Sequence, residues 1–136
     1  MKEFSLKIVT PDGIHFDGMA QSLSVRTTTG DMGILADHVN CVAPLGMGMA
    51  TVVTQSGKRY AACIGGMVSV VGGKVILVPT TFEWSEEIDL ERAKISKERA
   101  QTVLAGQDAT DMQILLAQAR LKRALVRTGV AGYHGK

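Results

Sequence analysis

Glu83-Trp84-Ser85-Glu86-Glu87-Ile88-Asp89-Leu90-Glu91-Arg92-Ala93 divides this chain into two kinds of sequence. Before it, short runs of Val, Ile, Gly and Thr alternate in polarity; from Glu83 onward, charged and apolar residues recur at helical spacing. Asp89 reads as an N-cap whose side-chain oxygen faces the free amides of Leu90 to Arg92, and Glu91 suits the positive end of the helix dipole. Gly106 marks the stop. Thr110 with Gln113 three residues on makes a capping box for a second helix, expected to run until Gly129. The six residues from Ala105 to Thr110 then form the connection, and helices joined by so short a link are expected to lie antiparallel. Leu90, Ala93, Ala100 and Leu104 share one face of the first helix, as do Ile114, Ala117, Leu121 and Ala124 on the second. A seam this rich in Ala lets the helices approach closely but buries little apolar area, at ~25 cal/mol per Å². The hairpin should be marginal by itself.

Upstream of the junction the pattern is that of short strands. Phe4, Leu6 and Ile8 alternate with Ser5, Lys7 and Val9, and Pro11-Asp12-Gly13 supplies a turn. Leu23 and Val25 alternate with Ser24 and Arg26; Thr29-Gly30-Asp31 interrupts, and Gly33-Ile34-Leu35 resumes an extended run. Residues 51–54, 59–64, 67–71 and 74–78 follow as further strands, separated by Gln55-Ser56-Gly57-Lys58, Gly65-Gly66 and Gly72-Gly73, with Pro79 closing the last. Many short strands at this spacing predict an antiparallel sandwich or barrel.

The bulk properties fit one core with an appendage. A chain of 136 residues supports a single respectable core. No apolar run approaches the ~18 residues of a membrane span, and Met1-Lys2-Glu3-Phe4 lacks the character of a signal peptide, which together predict a cytosolic protein. Cys41 and Cys63 are too few for a disulfide framework and are expected as buried thiols. His38 and Cys41 have a spacing that could serve two metal ligands, yet nothing nearby completes a four-ligand site, so neither metal nor catalytic residues are assigned. The glycines match neither GxxxxGK[ST] nor a helix-opening GxGxxG. Few aromatics and no basic stripe on the strands argue against nucleic-acid binding.

The charge of the tail is divided. From Glu83 to Asp111 there are eight acids against four bases, a net of −4, whereas from Met112 onward there are five bases and no acid. Asp89, Arg92, Ser96 and Arg99 are spaced i, i+3, i+7, i+10 and line one side of the first helix; Arg120, Arg123 and Arg127 line one side of the second. In an antiparallel hairpin turning near Gln107, Arg92 falls level with Arg123, and Asp89 or Glu83 with Arg127. Guanidiniums that close repel unless an anion sits among them, and a polyphosphate suits arginine's fork of donors. Glu83 and Asp89 would then accept hydrogen bonds from a base or ribose, or simply neutralise the arginines.

Val9-Thr10-Pro11-Asp12-Gly13, the run Gly30-Asp31-Met32-Gly33-Ile34-Leu35-Ala36-Asp37-His38, Ala43-Pro44-Leu45, Gly65-Gly66 and Leu121-Lys122-Arg123-Ala124 stand in the order found in one family. On these marks the chain resembles, over nearly its whole length, the epsilon subunit of bacterial F-type ATP synthases, the delta subunit of mitochondria. Ala36-Asp37 departs from the family's usual Pro-Gly, and Met32 from its frequent Leu, which leaves the shape of that loop to be determined. Ile88-Asp89-Leu90-Glu91-Arg92-Ala93 looks like the I/L-D-x-x-R-A motif of members that bind ATP.

The resemblance implies an α+β architecture: an N-terminal antiparallel β-sandwich of about ten strands over 1–84, contacting the gamma subunit and the c-ring, and a regulatory helical hairpin over 85–136. It implies that Glu83, Ile88, Asp89 and Ala93 surround an adenosine while Arg92, Arg99, Arg123 and Arg127 face its phosphates, with ATP a regulatory ligand and no cofactor required. It further implies a non-catalytic rotor subunit, peripheral at the cytoplasmic face of the cell membrane, whose extended tail meets the alpha and beta subunits of the catalytic head. Two rivals stand beside it: a purely structural coupling subunit with no ATP sensing, and a stand-alone nucleotide-binding or enzymatic sandwich using His38 and Cys41.

Overall fold

Ten strands pack as two five-stranded sheets, followed by two helices, in a computed structural model that describes residues 2–133. Lys136, counted above in the basic segment, and the end of the second unit lie outside the described residues. The strands are β1 (Phe4–Thr10), β2 (Gly13–Ala20), β3 (Ser22–Thr27), β4 (Gly30–Leu35), β5 (Cys41–Pro44), β6 (Met47–Thr54), β7 (Gly57–Ile64), β8 (Met67–Val71), β9 (Lys74–Val78) and β10 (Thr81–Trp84). One sheet has the order β2-β1-β9-β8-β5 and the other β10-β7-β6-β3-β4. All pairings are antiparallel except β1 with β9, which run parallel and bring the first strand beside the ninth.

The alternation predicted for the strands is realised as burial. Leu6, Ile8, Leu23, Val25, Ile34, Val52, Val68, Val70 and Leu77 are sealed between the sheets, while their neighbours face outward. The periodicity misplaces the end of the sandwich. Pro79 closes β9 but not the sandwich: β10 follows in the other sheet, with Phe82 and Trp84 buried and Thr81 and Glu83 half-buried, so Glu83 belongs to a strand rather than to the start of the helical tail. The acid-rich run after Trp84 forms one 3-10 turn, Ser85–Glu87, before the first helix begins. At the 36–37 step, Asp37 takes φ 66, the left-handed conformation in which glycine is comfortable, and His38 N–H donates to Leu35 O at 3.3 Å. An aspartate is among the few side-chain-bearing residues that accept this region, so the turn forms without glycine.

Helix α1 spans Leu90–Ala105 and α2 spans Asp111–Ala131. The caps are those expected: Asp89 Oδ1 accepts from Arg92 N–H at 3.0 Å, and Thr110 and Gln113 cap each other reciprocally. The connection is residues 106–110, since Ala105 completes α1. Helix α2 does not stop at Gly129. It runs one half-turn further because Val130, 3% exposed, packs inward and Tyr133 N–H closes the end on Val130 O. The seam is made by buried Ala93, Ala100, Ala117 and Ala124, whereas Leu90 lies outside it at 38% exposure. Helix α2 in turn lies on β6, β7 and the 3-10 turn, with the Tyr133 and Tyr60 rings 5.3 Å apart.

Candidate functional site

Where the sandwich edge meets the hairpin, β10 ends, the 3-10 turn bends the chain, and α1 starts alongside the last turns of α2. The bend is clamped. Arg59 of β7 stacks over Trp84 at 3.7 Å and donates to Glu86 Oε1 at 2.8 Å, while Glu87 Oε1 accepts from Trp84 N–H at 3.0 Å. The hydrogen bond from Arg59, joined by one from its own backbone N–H, holds the Glu86 carboxyl below its ordinary value. Trp84 Nε1 donates to His15 O, anchoring the same point to β2.

Beside this clamp lies a cleft of about 560 Å³. Glu83, Ile88, Asp89, Arg92, Ala93, Arg123 and Arg127 all line it. Arg99 does not: it lines an adjoining cavity of about 990 Å³ in the groove between the helices, which Asp89 and Arg92 line as well. The helix explains the separation, because seven residues from Arg92 advance about 10 Å along its axis. Three residues outside the expected set also line the cleft: Glu87, Ser96 and Arg120. Ser96 and Arg120 were visible as members of the two polar stripes; Glu87 gave no such signal, since its position depends on the 3-10 turn.

The carboxylates of the cleft are already engaged. Glu83 Oε1 accepts from Arg127 Nε at 2.7 Å, both side chains half-buried. Asp89 caps α1 and Glu87 caps the 3-10 turn. Among the described residues Arg92, Arg120 and Arg123 form no salt bridge. The cleft therefore sets three acids that have internal partners beside three guanidiniums, Arg92, Arg120 and Arg123, that form no salt bridge among the described residues, an arrangement suited to an anion.

His38 and Cys41, the pair on which a catalytic reading would rest, are brought near each other, Nδ1 to Sγ 4.0 Å, but Nδ1 also lies 2.8 Å from Val39 O. A ring nitrogen donating to that carbonyl has no lone pair for the thiol. Among the described residues no group of His, Cys, Asp and Glu is placed to hold a metal. Cys63 is buried, and burial pushes its thiol up to about 12, so it stays protonated.

Two family models match the chain end to end: "ATP synthase, Delta/Epsilon chain, beta-sandwich domain" over residues 3–85, and "ATP synthase, Delta/Epsilon chain, long alpha-helix domain" over 86–132. An ATP synthase epsilon chain of Bacillus pumilus is 38% identical, covering 97% of this chain and 99% of its own. One of Bacillus licheniformis is 39% identical, covering 96% and 99%. Among solved structures, a chain of the Euglena gracilis mitochondrial ATP synthase, OSCP/F1/c-ring in rotational state 1, superposes with a TM-score of 0.83 at 22% identity, covering 96% of this chain and 82% of that one. A chain of the Tetrahymena thermophila mitochondrial ATP synthase central stalk and c-ring gives a TM-score of 0.62 at 14% identity, covering 96% and 97%. These last two show the shared fold.

Proposed function

The chain belongs to the ATP synthase delta/epsilon chain family, and from that premise we propose that it is the epsilon subunit of an F-type ATP synthase, a central-stalk part joining gamma to the c-ring, whose hairpin responds to ATP. It is a non-catalytic subunit, reaching the membrane through the complex; among the described residues no helix is long and apolar enough to cross a bilayer. An exposed apolar strip on the β2-β1-β9-β8-β5 sheet supports the coupling role. Val42, Met67, Ile76 and Val78 are each more than two-fifths exposed, Met67 pairs with Val78, and α2 packs on β6 and β7 of the other sheet. A strip of this kind fits a partner such as gamma.

The single observation carrying the ATP reading is the cleft in which seven of the eight residues implied by the resemblance meet. Adenosine would lie toward Glu83, Ile88 and Ala93, with Arg92, Arg123 and Arg127 on the phosphates. The hairpin and an extended tail reaching along gamma are the two states, and the thin Ala seam keeps them close in energy. ATP held only by the hairpin would favour it by about 2.7 kcal/mol at a hundredfold excess over Kd. Scarce ATP would release the basic α2 toward acidic segments of the catalytic head, so that inhibition of hydrolysis is relieved by ATP.

Titration calorimetry of the isolated chain with ATP tests this. Saturable heat is expected, with the affinity weakened about tenfold or more by Arg92→Ala or Arg123→Ala, as befits a lost hydrogen bond to a charged group. No heat at millimolar ATP would remove the sensor and leave the coupling role. The Glu83–Arg127 pair favours that purely structural alternative, since the carboxylate already serves as the arginine's counter-ion. For the inhibitory role, truncation after Glu87 is expected to raise ATP hydrolysis by the assembled complex while assembly persists; unchanged hydrolysis would count against inhibition by the hairpin.

A further inference from the structure

We propose that Arg120, opposed by the Ser96 hydroxyl, is the residue by which this cleft distinguishes a nucleoside triphosphate from a diphosphate. The inference rests on the ATP reading above and assigns a role to a residue that the motif leaves out. Its basis is position. Ala93 and Ala100 of α1 and Ala117 and Ala124 of α2 are buried, and an antiparallel pairing that matches Ala93 with Ala124 and Ala100 with Ala117 puts Ser96 across from the turn carrying Arg120. Arg120 is one turn from Arg123, about 4.5 Å along α2 and away from the sandwich.

Asp89, Arg92, Ser96 and Arg120 line both the cleft and the larger cavity, so these four stand where the two adjoin, and of them Arg120 is the one on α2. A nucleotide whose adenosine lies against Glu83, Ile88 and Ala93 directs its phosphates up the groove. Arg92 and Arg123 meet the first of them, and Arg120 meets the last, before the groove widens toward Arg99. Ser96 is half-buried there and supplies a hydroxyl donor; Arg120 is exposed and, among the described residues, makes no salt bridge. A guanidinium with no resident carboxylate can take a terminal phosphate through two parallel donors without breaking an existing pair. A diphosphate ends short of it.

The test is calorimetric titration of the full chain with ATP and, separately, with ADP, comparing the parent with Arg120→Ala and Arg120→Lys. Arg120→Ala is expected to raise the Kd for ATP about tenfold and that for ADP less than about twofold, with Arg120→Lys intermediate. The site is on an exposed helical face where Ala is well tolerated, and an unchanged thermal midpoint verifies folding. Equal weakening for both nucleotides, or none for either, overturns the assignment. If Arg92→Ala weakens ATP while Arg120→Ala leaves the ATP to ADP ratio intact, only the role of Arg120 falls. If the parent binds neither nucleotide, this inference and the ATP reading fall together.

Discussion

Trp84→Ala is expected to lower the free energy of unfolding by about 3–5 kcal/mol, the cost of deleting a large buried aromatic. The indole is 4% exposed and is the point on which several elements converge. Its ring packs edge-on against Phe82 at 4.9 Å and Phe16 at 6.4 Å, and its cross-strand neighbour is the small Ala61, which cannot fill the space left behind. Its Nε1–H is bound to His15 O, and Arg59 stacks on its face. Truncation therefore opens a cavity, removes aromatic pairs, takes a partner from a carbonyl and frees the arginine that holds Glu86. Because the chain has one Trp, the readout must be circular dichroism in a urea titration rather than indole fluorescence. Trp84→Phe, which keeps most of the volume, should lose much less. A loss below about 1 kcal/mol for the alanine variant would mean that the sandwich does not depend on this contact.

Gly66→Ala is expected to be comparably damaging, at about 3 kcal/mol or more, for a reason unrelated to burial. Gly66 sits between β7 and β8 at φ +94, and a Cβ there would lie 2.0 Å from Val78 O and 2.7 Å from Pro79 Cα. Neither atom belongs to a side chain that can turn aside. The Gly66 carbonyl also accepts from Leu45 N–H at 2.8 Å, so a shift of this loop disturbs the start of β6 as well. Gly72→Ala separates the two contributions. That residue has φ +58 and nothing within 4 Å of a built Cβ, so it carries conformational strain without collision and should cost about 1 kcal/mol. Urea midpoints for the pair measure the difference; equal losses would mean that the clash at Gly66 is relieved by movement of the 78–79 backbone.

These two positions also show what a sequence exposes and what it hides. Gly65-Gly66 declares a turn, but the approach of the 78–79 backbone to it follows from sheet order. Strands β1, β3, β8 and β9 announce themselves because one face is sealed and the other wet, which writes a period of two into the side chains. β2 carries no such pattern. It is an edge strand of which only Ala20 is fully buried, so selection on its faces leaves little trace in the residues. β5, four residues at the opposite edge, is half-buried throughout its inward positions and equally mute. In β10 the alternation exists, Thr81-Phe82-Glu83-Trp84, but it is too short to compete with the acid-rich run behind it.

The helices were more legible, since caps are local chemistry. Asp89, Gly106 and the Thr110–Gln113 pair mark their ends in the sequence and in space, while Gly129 misleads because Val130 finds a buried place beyond it. For the cleft, helical spacing puts Arg92 and Arg123 on facing stripes without further information. The absence of Arg99 from the smaller cleft, and the place of Arg120 among the residues lining both cavities, depend on the register of one helix against the other. Four buried alanines set that register, and no pairwise rule reads it from composition.

The caps have a mechanical consequence. Asp89 binds an amide of its own helix, Thr110 and Gln113 bind each other, and none of these bonds crosses to the neighbouring helix or to the sandwich. Parting α1 from α2 would sacrifice the alanine seam, and lifting α2 from the sandwich would sacrifice the Glu83–Arg127 pair, yet the first turn of each helix would keep its hydrogen bonds. The tail is thus built as two rigid rods on a five-residue joint at 106–110. A rearrangement of the tail would be a displacement of finished parts, limited by the tearing of side-chain contacts rather than by the slow refolding of helical turns.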